Sequence, residues 1–188
     1  MKEDHCGLVD LSRYDSSKFD RGRPVIVEVL WILVQALFVR SWLPGATHRR
    51  WLLRLFGARI GTGVDIKPGV RVKFPWRLSI GAYSWIGEDV WIDNLAEVDI
   101  GENCCISQDA YLCTGSHDLH KPTFDLIVKP IRLEAGAWIA ARAVVAPGVT
   151  VREGAVLSIG SVATVDLLPK TIYRGCPASA VVNRTSHL

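Results

Sequence analysis

The stretch Tyr111–Asp125, YLCTGSHDLHKPTFD, concentrates acid–base chemistry in a chain otherwise poor in it. His117, Asp118 and His120 lie within four residues, although the 188-residue sequence holds only five histidines. A histidine with its ordinary pKa near about 6.5 takes a proton at neutral pH and returns it, which is what a general base must do. Such a base needs a partner that fixes its ring. Asp118, the adjacent residue, is one candidate. His120 suits either a contact to a bound acceptor or an exposed loop position.

The elements that would hold these residues form a repeat. From Ile60 the chain reads in sixes as IGTGVD, IKPGVR, VKFPWR, then after Leu78 and Ser79 as IGAYSW, IGEDVW, IDNLAE. After Val98 and Asp99 come IGENCC, ISQDAY and LCTGSH, and the frame returns as LEAGAW, IAARAV, VAPGVT, VREGAV, LSIGSV, ATVDLL. Fourteen of these fifteen hexads begin with Ile, Val or Leu, and the fifth position is mostly small or β-branched, with Trp76 the clear exception. This pattern predicts a solenoid of short strands meeting at tight corners, with the aliphatic side chains stacked inward. A helix does not fit: a period of six matches neither 3.6 nor 3.5, and each internal glycine or proline would cost about 1 to 3 kcal/mol.

Ile60, Ile80 and Ile100 are spaced by 20, so one coil is three hexads plus two residues. Residues twenty apart should therefore stack. Subtracting one coil from His117 gives Glu97, a second candidate for orienting the imidazole, and subtracting two gives Arg77. Glu97 could instead be a solvated corner paired with Arg77. The pattern does not define the hand of the coil.

The bulk properties narrow the classes. A length of 188 residues and 49% hydrophobic content fit one domain with a substantial core. A net charge of +3 is far from the positive field of a nucleic-acid binder, although Arg49, Arg50 and Arg54 form a local basic cluster. The five cysteines are odd in number and show no C-x-x-C spacing, so they read as reduced thiols. With an N-terminus too polar for a signal peptide, this points to the cytoplasm. Pro24–Gly45 is long and apolar, but Glu28 and Arg40 interrupt it, short of the about 20 residues a spanning helix needs. It reads as a helix buried against the protein or a neighbouring subunit, with peripheral contact at the inner membrane as the alternative. The following THRRWLLRLFGAR reads as a short amphipathic helix with Thr47 as N-cap and Gly57 as stop. The expected organisation is an N-terminal helical extension over 1–57, a solenoid over 58–168 with a protruding loop at 117–132, and a capping tail over 169–188.

The hexads resemble those of the hexapeptide-repeat acyltransferases, which are left-handed parallel β-helices. The narrower resemblance is to the colanic acid biosynthesis acetyltransferase branch. It is carried by DLSRYDSSKFDRGRP, LLRLFGARIG, the run from FPWRLSIG to LCTGSHD, VAPGVTV and RGCPA, and it covers about Leu8 to Val182. The resemblance implies acetyl-CoA as donor, a sugar hydroxyl of an exopolysaccharide or glycolipid precursor as acceptor, and a homotrimer with active sites between subunits. It assigns the general base to His117. It also implies contacts from Ala141 and Ile159 to the pantetheine arm and from Thr164 near the phosphates. Where the family commonly has a lysine after that threonine, this chain has Val165, so Lys170, Arg174 and Arg184 become candidates for the charge, with solvated side chains as the alternative. Asn94, Trp91 and His120 are candidate acceptor contacts, with packing as the alternative for the tryptophan.

Three other readings fit less of the sequence. A zinc carbonic anhydrase of this architecture needs three histidine ligands, but only His117 and His120 fall in the coil region, so no metal is expected. A serine acetyltransferase would carry a long helical N-terminal domain. A non-catalytic scaffold would need neither His117 nor a donor site.

Overall fold

In the computed structural model, which describes residues 9–184, the repeat folds as a three-sided parallel β-solenoid. His5, Cys6 and His187 lie outside the described residues. The first face is built from Arg59–Ile60, Leu78–Ile80, Val98–Ile100, Ile131–Leu133 and Thr150–Val151. The second takes Asp65–Ile66, Trp85–Ile86, Cys105–Ile106, Trp138–Ile139, Val156–Leu157 and Thr171–Gly175, and antiparallel Ala178–Asn183 closes it. Arg71–Val72, Trp91–Asp93, Tyr111–Cys113, Val144–Val145 and Val162–Ala163 form the third. RGCPA is the turn that joins the last two strands of the second face.

The register follows the hexads. Ile60 pairs with Ile80, Ile80 with Ile100, and Trp91 with Tyr111, which is the twenty-residue coil. Later coils shorten to eighteen, as in Leu133 with Val151 and Ile139 with Leu157, because they lack the two-residue insert. All fifteen hexad-leading residues are buried. Burying each large aliphatic side chain contributes about 1.5 to 3 kcal/mol, so these ladders dominate the core. Close coil spacing explains a glycine such as Gly81, where a Cβ would come within 2.5 Å of the Glu102 nitrogen on the next coil.

Two helices cap the first coil. Helix α1 (Val25–Val34) runs on through a wider turn, Gln35–Val39, and α2 spans Thr47–Leu55. The Trp31 indole donates to the Val72 carbonyl at 2.8 Å, and the Val72 amide donates to Gln35 Oε1 at 2.5 Å. Glu28 is held by Arg21 at 2.5 Å. The expected burial of this helix therefore holds only for the side bearing Glu28, Trp31 and Val39; most of its apolar surface is exposed in the chain. Thr47 is not the N-cap either. Ala46 takes that place without a side-chain bond, and Thr47 Oγ1 accepts from Arg50 within the first turn. Gly57 follows the helix with φ +100, as a stop residue should. No helix among the described residues is long and apolar enough to cross a membrane.

Candidate active site

The chain leaves the third face at Thr114, three residues ahead of His117. Thr114 is buried, donates to the Asp93 carbonyl and accepts from the Ala96 amide. Gly115–His117 then pairs antiparallel with Leu126–Val128, Ser116 opposite Ile127 and His117 opposite Leu126. The Lys129 amide donates to the Thr114 carbonyl, closing the excursion, and the chain re-enters the first face at Ile131. LCTGSH is thus not an ordinary hexad, and Ser116 is exposed where a fifth-position residue should be buried.

This early exit overturns the pairing of Glu97 with His117. Val98 pairs with Ile131, and the Ile131 amide donates to the Glu97 carbonyl at 3.0 Å, so Pro130 takes the position over Glu97. Glu97 instead lines a separate hollow of about 590 Å³ on the first face, with Lys129 and Arg132. Arg77 does not pair with it: its guanidinium donates to the carbonyls of Leu95 and Asp20 and lies 5.3 Å from the centre of the Phe19 ring.

His117 is oriented by the backbone. Its Nδ1 lies 2.8 Å from the Phe124 carbonyl oxygen. A carbonyl can only accept, so Nδ1 carries the proton and Nε2 keeps the lone pair. The Phe124 ring stacks flat on the imidazole, centroids 4.1 Å apart at 5°, and Tyr14 meets it edge-on at 5.6 Å. Asp118 does something else. Its carboxylate accepts from the His120 amide at 3.0 Å and lies 3.9 Å from Lys121 Nζ, while its own amide donates to the Asp125 carbonyl. It shapes the turn of the hairpin rather than holding the ring. His120 is exposed on that turn.

An N-terminal strap closes one side of the site. The Asp10 amide donates to the Pro122 carbonyl at 2.9 Å, tying the strap to the hairpin, and Ser12 bonds hold the Asp10 carboxyl below its ordinary pKa. The Trp76 indole donates to the Arg21 carbonyl, and Phe19 stacks on Phe74, fixing the strap to the coil. Between strap and hairpin lies a hollow of about 340 Å³ lined by Tyr14, Phe19, Asp20, Arg77, Leu126 and Val128. It adjoins His117 through Tyr14, which touches the ring, and Leu126, its cross-strand partner. Sequence reasoning missed Phe124 and Tyr14. Tyr14 does fall in the motif DLSRYDSSKFDRGRP, whereas a backbone carbonyl leaves no signature in residue types.

The other candidate residues divide. Ala141, Ile159 and Arg174 line one hollow of about 590 Å³ along the second face, together with Trp138 and Ile172. Thr164 and Lys170 are not gathered there: Thr164 is exposed at the corner after the third face, and Lys170 pairs with Glu153 at 3.6 Å at the corner before the second. Asn94 is overturned as an acceptor contact. It is wholly buried, and its amide accepts from the Phe74 N–H and donates to the Phe74 carbonyl, a clamp between coils. Trp91 stacks on Tyr111 at 4.7 Å under the Arg71 guanidinium, on the outside of the third face. Burial and the neighbouring Cys113 and Asp93 push the Tyr111 phenol up, so it stays a neutral donor to Asp93. Among the described residues, no group of three or more His, Cys, Asp or Glu side chains is arranged to hold a metal.

No protein-family model matches the chain. The Escherichia coli (strain K12) protein named colanic acid biosynthesis acetyltransferase WcaF is 41% identical over 179 residues, which span 94% of this chain and 98% of that protein. The galactoside O-acetyltransferase of the same organism is 25% identical over 136 residues, 71% of this chain and 67% of that protein. Among solved structures, the hexapeptide-repeat acetyltransferase VCA0836 of Vibrio cholerae superposes with a TM-score of 0.79 at 24% identity, covering 85% of this chain and 92% of that one. The last match speaks to the fold alone, but the first extends over nearly the whole of both chains: this protein belongs to the colanic acid biosynthesis acetyltransferase branch of the hexapeptide-repeat acyltransferases.

Proposed function

We propose that the protein is an acetyl-CoA-dependent O-acetyltransferase that esterifies a sugar hydroxyl of an exopolysaccharide or glycolipid precursor, with His117 as general base. The observation that carries this reading is the bond from His117 Nδ1 to the Phe124 carbonyl. It commits one ring nitrogen as a donor and leaves Nε2 basic beside a hollow large enough for part of a sugar. In the reaction, Nε2 removes the hydroxyl proton as the oxygen attacks the acetyl carbonyl carbon. Backbone N–H groups stabilise the tetrahedral oxyanion. Collapse breaks the carbon–sulfur bond, and the imidazolium returns its proton to the departing thiolate, giving the acetyl ester and free coenzyme A.

The donor side is supported by the hollow that holds Ala141, Ile159, Trp138 and Arg174. An apolar wall with one guanidinium at its edge suits a pantetheine arm with a phosphate beyond it. Acetyl coenzyme A is bound in a second structure of the Vibrio cholerae relative, TM-score 0.77. His117 follows the third face, whereas Ala141 and Ile159 precede it, so base and donor hollow lie at opposite edges of that face in one chain. A site shared between subunits brings such edges together. The outward residues agree: the second and third faces carry Trp85, Trp138 and Trp91, while the first carries Arg59, Asp99 and Arg132. We therefore assign the second and third faces to a homotrimer contact and the first to solvent.

The test is acetyl transfer from labelled acetyl-CoA to a panel of free, nucleotide-linked and lipid-linked sugars, with His117→Ala alongside. Transfer to a sugar that is lost in the variant is the expected result. Full activity in the variant would remove His117 from the mechanism, and absence of any acetyl-CoA binding at millimolar concentration would favour a scaffold.

A further inference from the structure

We propose that the helical cap of the first coil is a membrane-docking surface that lies on an anionic phospholipid bilayer. Between Val25 and Leu55, twelve large apolar side chains are each at least 45% exposed, among them Ile26, Leu33, Leu37, Trp42, Trp51 and Leu55. A soluble monomer rarely exposes a contiguous apolar patch of more than a few hundred Å², so this surface calls for a partner.

The surface is built, not left over. Arg49 is 1% exposed, and its guanidinium donates to the carbonyls of Val39, Ser41, Leu43 and Gly45. These bonds stiffen the turn between the helices and hold Trp42 outward at 76% exposure with Leu43 beside it. A rigid, outward tryptophan at a turn is suited to the headgroup layer, where its ring is half in apolar surroundings and its N–H stays wet.

Charge identifies the kind of partner. From Arg21 to Arg54 the chain carries six arginines and one acid, Glu28, which is paired with Arg21; with Arg49 buried in the turn, Arg23, Arg40, Arg50 and Arg54 are left to meet a partner. The net charge of the whole chain is only +3, so its positive excess is confined to the cap. Two such caps facing each other would repel, which disfavours a second copy of the chain, whereas an anionic lipid surface attracts them. Each basic residue near such a surface strengthens binding roughly fivefold. The continuous helical run Val25–Val39 is about 22 Å long, short of the about 30 Å hydrocarbon core, so it lies in the interface.

The proposal stands independently of the acetyl-transfer chemistry. Its test is flotation of the full chain with phosphatidylglycerol–phosphatidylethanolamine vesicles and with phosphatidylcholine vesicles, with light scattering of the free protein in parallel. The double variant Leu37→Ser, Trp42→Ser alters only exposed side chains. The expected result is binding to the anionic vesicles, at least tenfold weaker on phosphatidylcholine, weakened by salt and reduced at least tenfold in the double variant, whose melting temperature and oligomeric mass are unchanged. No flotation with anionic vesicles, or equal flotation of the double variant, would overturn the proposal. A smaller oligomeric mass in the double variant would overturn it too, assigning the surface to a contact between subunits.

Discussion

The imidazole of His117 is held by the main chain of Phe124, with 2.8 Å from Nδ1 to the carbonyl oxygen and the Phe124 ring stacked on its face. One residue thus supplies both the tautomer and the plane of the ring. Phe124 does this from a left-handed backbone conformation, φ +49, which turns its carbonyl and ring toward the facing strand of the hairpin. No carboxylate is needed for the proton on Nδ1, because the Phe124 carbonyl already accepts it.

The ring contact can be removed without deleting the carbonyl. Phe124→Ala should lower kcat about two- to twelvefold, because stacked aromatic pairs contribute about 0.5 to 1.5 kcal/mol, and leave acetyl-CoA affinity unchanged. Phe124→Tyr should restore most of the rate. Steady-state kinetics together with calorimetry of donor binding check this; a fall in donor affinity without a change in kcat would mean that Phe124 serves the donor side instead.

The coil was legible in the sequence because its cause is local and repeated. Every hexad places an aliphatic residue inward, so Ile60, Ile80 and Ile100 align whatever lies between. The site was only half legible. His117 stands out as a residue type, but its neighbours depend on where the chain leaves the coil, and LCTGSH scans as a hexad although Thr114 already ends it. That three-residue difference is what put Glu97 under His117 in the arithmetic and Pro130 over Glu97 in the fold. Asp118 misled for another reason: it follows the strand that ends at His117, and its carboxylate turns to the His120 amide instead of the ring.

These two acids now carry opposite expectations from a true orienting pair. Glu97→Gln should leave turnover within about twofold of the parent. Asp118→Asn keeps an oxygen for the His120 amide and loses only a 3.9 Å ion pair with Lys121, an exposed contact contributing about 0 to 1 kcal/mol, so it should cost less than about fivefold. A drop of a hundredfold in either variant would restore that acid as the partner of His117.

Asn94 should behave as a structural clamp. Asn94→Ala leaves the Phe74 N–H without its partner in a buried setting, while the Phe74 carbonyl keeps the Arg77 amide, at a cost of about 1 to 3 kcal/mol. For a chain of this size, that lowers the melting temperature by roughly 2 to 12 °C. Thermal unfolding measures it, and KM for the acceptor well below the transition should not move. A raised KM with unchanged melting would return Asn94 to the acceptor site.

Alkaline pH should weaken the fold through Cys104. Its thiol is buried between coils, with Sγ 3.1 Å from the Glu134 carbonyl, and burial pushes its pKa from the ordinary 9.0 up to about 11. Below pH 9 the thiol is protonated in both folded and unfolded chains and contributes nothing to the pH dependence. Between pH 9 and 11 the unfolded chain releases the proton while the folded chain keeps it, so stability falls as pH rises, by about 2 to 3 kcal/mol over the interval. Serine does not ionise in this range, and Ser84 already occupies the equivalent place one coil below, where its hydroxyl accepts from the Cys104 amide and donates to the Gly101 carbonyl. Urea unfolding of the parent and of Cys104→Ser at pH 8 and at pH 10.5 isolates the effect from that of other ionising groups. The parent should lose more stability than the variant over this range, and parallel losses would show that the Cys104 thiol does not set the alkaline limit.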